Sequence, residues 1–144
     1  MIAQVLIGGF MIVLTATTAG GGFFFVERLL MRHSSWLATP PFIGKRLLYL
    51  CASLTWFLLA IFLAVTLWSW LYLAAGVFTE FEEALYFSIV AYTTLGFGDI
   101  LLPDEWRLLS GIEALNGLLM IGLQTAMLIE IMTRIRRHQM SGEL

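Results

Sequence analysis

Long charge-free runs organise this sequence. Residues 1–26 carry no charged side chain, and residues 47–79 form a second such run. Residues 108–133 form a third apolar stretch, with Glu113 and Glu130 near its two ends. A helix needs about 20 apolar residues to cross a bilayer, so the pattern predicts three spans. The second run is longer than the hydrocarbon is thick and is expected to tilt or to project beyond the lipid. The first run lacks the basic start and small-residue cleavage site of a signal peptide, and its apolar stretch is longer than such a leader uses. It is expected to be retained as a helix. Its Gly8-Gly9 and Gly20-Gly21-Gly22 either permit close helix contact or mark loosely packed, kinked sequence.

Between the second and third runs the apolar pattern does not fall away as in an ordinary connecting loop. Residues 81–92 read as a short helix, roughly 18 Å long at 1.5 Å rise per residue, which is too short to span. Thr79, three residues before Glu82, has the form of a capping box. Glu80, Glu82 and Glu83 set carboxylates at the positive end of the helix dipole. Such a helix is expected to be re-entrant, because non-helical backbone at membrane depth is tolerated only where it lines a cavity or is buried in protein.

Composition supports a membrane setting: 60% of residues are hydrophobic and 12% charged, against about 25% charged in ordinary globular domains. The basic residues give the direction. Arg28, Arg32, Lys45 and Arg46 lie between spans one and two, Arg134, Arg136 and Arg137 follow span three, and Arg107 alone lies on the other side. The positive-inside rule then places the N-terminus outside and the C-terminus in the cytoplasm of a multi-pass protein of the plasma or inner membrane. In the linker, Pro40-Pro41 should stop any helix arriving from Trp36, and Trp36 suits the headgroup level. His33 and His138 read as bystanders.

Other classes fall away. A net charge of −2 without a basic stripe argues against nucleic acid as a partner. Cys51 is the lone cysteine, which excludes an internal disulfide and a Cys-based metal site. No nucleophile–base pairing or metal-ligand spacing can be read, so neither an enzyme nor a cofactor is expected.

The chemistry concentrates in Thr93-Thr94-Leu95-Gly96-Phe97-Gly98-Asp99. A cation that sheds its water needs replacement oxygens, and a ring of backbone carbonyls supplies them. Successive carbonyls point one way only if the chain alternates into left-handed dihedrals, which Gly96 and Gly98 enter without steric cost. Thr94 adds a hydroxyl below the carbonyl ladder. Leu95 and Phe97 are expected to point away from the axis and wedge the strand against the short helix.

From Phe81 to Thr133 the sequence resembles the pore module of potassium channels, whose filter reads T-V-G-Y-G-D or near variants. Thr94, Gly96, Gly98 and Asp99 match, while Leu95 and Phe97 replace the commonest Val and Tyr. The resemblance implies an all-α membrane protein with three transmembrane helices, a re-entrant pore helix and a selectivity filter, assembled as a homotetramer in membrane lipid. The domains follow: N-terminal helix 1–26; cytoplasmic interfacial linker 27–46; pore module 47–137, with outer helix 47–76, pore helix 80–92, filter 93–99 and inner helix 107–134; and short cytoplasmic tail 138–144. It implies potassium as the permeant ion, held at Thr94, Leu95, Gly96 and Phe97, with Gly98 completing the filter.

By the same resemblance Thr93 and Asp99 support the filter, Asp99 bonding to the pore helix through Tyr86 or Phe87. Gly117 takes the place of a gating hinge or else permits close packing, and Leu118, Ile121, Thr125, Ile129 and Thr133 lie near the pore-lining face. Glu130 either forms a ring of charge at the inner mouth or pairs with Arg134 at i,i+4. Glu113, two turns inside span three, is either an intramembrane carboxylate, by default a functional residue, or close enough to the outer surface to be wet. The expected function is passive potassium conduction. A weakly selective monovalent cation channel, or a non-conducting scaffold or regulatory subunit that keeps a vestigial filter, are the alternatives. No voltage sensor with Arg at every third position is present.

Overall fold

A computed structural model describes residues 2–32 and 42–141. Every regular element among them is an α-helix: α1 Ile2–Arg32, α2 Phe42–Ala74, α3 Phe81–Tyr92 and α4 Arg107–Ser141. Three stretches are long and apolar enough to cross a membrane: Ile2–Phe25, Ile43–Ala74 and Arg107–Arg137. α3 packs against α2 and α4, and α1 lies along α4 and α2. The expectations for His33, Trp36 and Pro40-Pro41 lie outside the described residues.

The helices run further than the sequence boundaries. The expected linker 27–46 gives up its first residues to α1, which continues to Arg32, and its last to α2, which begins at Phe42. α4 passes residue 134 and continues to Ser141. Charged residues end an apolar run but not a helix, because Glu, Arg, Leu and Met all propagate helix well. The far end of α2 does stop near its expected place. Gly76, at φ +69°, follows the last turn, Val77 N donates to the Tyr72 carbonyl and Gly76 N to that of Leu73, both at 3.0 Å. That pair of bonds closes the helix in a Schellman motif.

One expectation fails at the start of α3. The cap is Glu80, with extended backbone (φ −111°, ψ 135°) and no side-chain capping bond, so the Thr79 capping box does not form. The Glu80 carbonyl already accepts Ala84 N at 3.2 Å, which starts the helix one residue later and leaves Thr79 outside it. Glu82 and Glu83 still occupy the first turn and complement its positive end.

An aromatic knot joins α3 to α2. Phe87 meets Tyr72 edge to face at 5.4 Å between centroids, and Phe78 closes the triangle against both rings. Such contacts are worth about 0.5–1.5 kcal/mol each beyond the area they bury. Trp68 and Tyr72 are fully buried beside them. On α1, Gly22 abuts the Trp56 ring and Gly8 abuts Ile112, each closer than a Cβ would permit. The alternatives left open for these glycines therefore divide. Gly8 and Gly22 are close-contact positions, while Gly9, Gly20 and Gly21 face open space. The Thr15 hydroxyl reaches Asn116 Oδ1 at 3.0 Å, and Gln4 bonds to the Glu105 carbonyl. α1 is thus fixed to α4 along much of its length.

Candidate functional site

The segment after α3 folds back on the helix that precedes it. Thr93 N donates to the Ile89 carbonyl, Thr94 N to Ala91, and Leu95 N and Gly96 N both to Val90, at 3.0–3.3 Å. The Thr93 hydroxyl also bonds to the Ile89 carbonyl at 2.6 Å. These donors satisfy the orphan carbonyls of the last helical turn. Their own carbonyls are left over: among the described residues, none from 93 to 98 accepts a hydrogen bond.

The backbone alternates. Thr94, Gly96 and Gly98 have φ of 59°, 60° and 75°, so every second residue is left-handed. Gly96 and Gly98 tolerate this freely, whereas Thr94 does so at a cost of about 1–2 kcal/mol. A non-glycine residue held in that region signals a conformation imposed for a purpose other than local stability. The result is a short run of unpaired main-chain oxygens, held to α3 by the N–H groups of Thr93 to Gly96.

Leu95 and Phe97 do not wedge the segment against α3 within one chain; they are 55% and 66% exposed. The segment grips α3 through backbone N–H groups instead, which leaves both side chains uncovered. A groove of about 350 Å³ opens between α3, the segment and the first turns of α4, lined by Phe87, Val90, Ala91, Leu101, Gly111 and Ala114 among others.

Asp99 sits at the outer end. Its Oδ2 accepts the Tyr86 hydroxyl at 2.6 Å, so of the two expected partners Tyr86 makes the bond and Phe87 belongs to the aromatic knot. That bond holds the Asp99 carboxyl below the ordinary carboxylate range, helped by the backbone N–H groups of Asp99 and Ile100.

On α4, Gly117 is buried against the C-terminus of α3: a Cβ there would lie 1.7 Å from the Tyr92 carbonyl oxygen. Helix α4 continues through it without a break, which favours packing over a bend at this residue. Leu118, Ile121, Thr125 and Ile129 are exposed and Thr133 is half-buried, a face largely uncovered by the rest of the chain. The hydroxyls of Thr125 and Thr133 bond to their own helix, at the Ile121 and Ile129 carbonyls. Glu130 pairs with Arg134 at 2.6 Å, as the i,i+4 spacing allows.

Residues 47–134, well over half of the chain, match the model of the family described as "Ion channel". The chain belongs to the ion channel family. No curated protein and no solved structure matches it. With its three candidate spans the channel chain is a multi-pass membrane protein. The matched region takes in most of α2, all of α3, the segment 93–99 and most of α4, and excludes α1.

The sequence reading named Glu113 in this ion channel chain but not the residues that surround it. Glu113 is fully buried and accepts the Tyr72 hydroxyl at 2.7 Å. Ser88 and Asn116 are buried on α3 and α4. The available signal was the spacing of Glu113 and Asn116, three apart on one face of an apolar helix. Nothing in the sequence marked Tyr72 or Ser88 as the groups that meet Glu113.

Proposed function

We propose that the chain is one subunit of a homotetrameric potassium channel, with the segment 93–99 as its selectivity filter. The observation that carries this is the alternation of left-handed φ at Thr94, Gly96 and Gly98 together with the unpaired carbonyls between them. A single chain presents one strand of oxygens, and a dehydrated monovalent cation must be surrounded. Four copies about an axis complete the ring. Potassium, as substrate, exchanges its water for the carbonyls of Thr94, Leu95, Gly96 and Phe97 and is displaced by the next ion.

In the tetramer the neighbouring subunit covers Leu95, Phe97 and the groove beside them. The uncovered face of α4 from Leu118 to Thr133 lines the inner pore. Asp99, tied to Tyr86, braces the outer end. The N-terminus lies outside and the C-terminus in the cytoplasm of the cell membrane, following the basic residues on the α1–α2 connection and at the end of α4.

The test is reconstitution. Purified protein in liposomes should carry a potassium flux that barium blocks, with reversal potentials that follow the potassium gradient rather than sodium. Potentials that follow both ions equally would replace potassium selectivity with general cation conduction, for which Leu95 and Phe97 would be the cause. Absence of flux from a folded, correctly assembled protein would leave a non-conducting scaffold.

A further inference from the structure

Behind α3, away from the filter, three helices bring polar groups together at membrane depth. Glu113 Oε2 on α4 accepts the Tyr72 hydroxyl of α2. Its other oxygen, Oε1, is buried with no hydrogen-bond partner, and so is the Ser88 hydroxyl of α3. Ser88 lies beside the Glu113 carboxyl yet does not close a bond with it in hydrogen-bond geometry. Two neighbouring oxygens, both fully buried, are thus unpaired. A buried unpaired polar group is destabilising, and in lipid no water reaches it to compensate.

Among the described residues, the groups facing Glu113 carry no positive charge. α2 contributes Tyr72, and α3 contributes Ser88 and the Tyr92 ring. α1 approaches this level through uncharged residues, Gly8 against Ile112 and Thr15 bonded to Asn116. Among the described residues the nearest base along α4 is Arg107, exposed and paired with Asp104 at 2.7 Å. An ionised carboxylate here would be a buried charge without a counter-ion, a costly arrangement. One proton on Oε1 removes the charge and supplies the missing donor. Oε1–H then donates to Ser88 Oγ, the unpaired hydroxyl beside it.

We propose that Glu113 is a protonated clasp, accepting from Tyr72 and donating to Ser88, which ties α2, α3 and α4 together and fixes the position of α3 beneath the filter. Glu113 acts through α3 and touches no permeant ion; it is a positioning residue. Its consequence for conduction rests on the channel reading, whereas its protonation and its bonds do not.

The experiment compares wild type with Glu113→Gln, Glu113→Ala and Ser88→Ala in the full-length protein. Glutamine keeps both roles, because its carbonyl accepts from Tyr72 and its amide donates to Ser88. Glu113→Gln should therefore retain the melting temperature and flux of wild type. Glu113→Ala should lower flux about tenfold or more, the scale of one unsatisfied buried group, and melt earlier. Infrared spectra should show a protonated-carboxyl band in wild type, absent from Glu113→Gln and shifted in Ser88→Ala.

Absence of that band from folded wild-type protein, or Glu113→Gln as damaging as Glu113→Ala, overturns the clasp. Should wild type carry no flux at all, the channel reading fails, and the infrared band and the order of melting still decide Glu113.

Discussion

Gly117 is the position where a single methyl group tests the packing most sharply. A Cβ on residue 117 would stand 1.7 Å from the Tyr92 carbonyl oxygen and 2.7 Å from its carbon, where real Cβ contacts essentially never fall below 3.0 Å. In Gly117→Ala, α4 must therefore withdraw from α3 by about 1.3 Å, the difference between those distances. The obstacle is backbone, so no rotamer change relieves it. Against this, replacing a helical glycine by alanine gains about 0.5–1 kcal/mol. Overpacking of this kind costs about 1–3 kcal/mol, occasionally more, and a backbone clash belongs at the upper end. The net loss is about 2–2.5 kcal/mol per chain, or about 8–10 kcal/mol over the four chains of the proposed tetramer if the sites add. The control is Gly20→Ala on α1, where no heavy atom lies within 4 Å of the new methyl; it should keep the propensity gain. Thermal dissociation of the detergent-solubilised oligomer measures both. A Gly117→Ala oligomer that melts at or above wild type, with only its gating altered, would refute the packing argument and establish the bend instead.

The filter predicts its own substitutions. Gly96→Ala places a side chain at φ +60°, at about 1–2 kcal/mol per chain from backbone strain alone, and should abolish potassium flux in liposomes. Thr94→Gly relieves the strained residue and should preserve or raise oligomer stability, while barium block weakens because the threonine hydroxyl at the base of the ladder is gone. Asp99 accepts from Tyr86 in its ionised form, so its folded pKa lies below its ordinary value. The stability from this brace is complete above the ordinary carboxylate pKa and is lost as pH falls through the lowered one. Tyr86→Phe should move the acid limit of flux upward, toward the ordinary value, in a pH titration on the outer side. Glu130→Gln removes an exposed i,i+4 pair worth about 0.3–0.5 kcal/mol and should leave melting unchanged. A drop in single-channel conductance would then assign Glu130 to the inner mouth.

Features that depend on a single element were readable in advance. The three spans follow from long apolar runs, the short helix from its interrupted length, and the alternating backbone at 96 and 98 from two glycines whose left-handed dihedrals have no cheaper substitute. What was not readable joins distant parts of the chain. Thr15 and Asn116 are 101 residues apart, and Tyr72 and Glu113 are 41 apart. No local pattern says which buried hydroxyl will meet which carboxyl. The choice between Tyr86 and Phe87 for Asp99 turned on which face of α3 is uppermost, and that is decided by the aromatic knot with Tyr72 and Phe78. Thr79 was misplaced by one residue because the cap signal is short, and backbone bonding, not side-chain identity, chose Glu80.

The bond between Thr15 and Asn116 has a consequence for any attempt to trim the protein to its family core. Cutting the chain ahead of α2 would leave the matched region whole and yet turn the Asn116 amide toward acyl chains, where no solvent can take over from threonine. The shortened protein would carry that defect in every subunit. It should need shorter-chain detergents, which admit water to that depth, to stay assembled. The helix outside the matched region is, by this account, part of the solvent that the inner helix was selected to fold in.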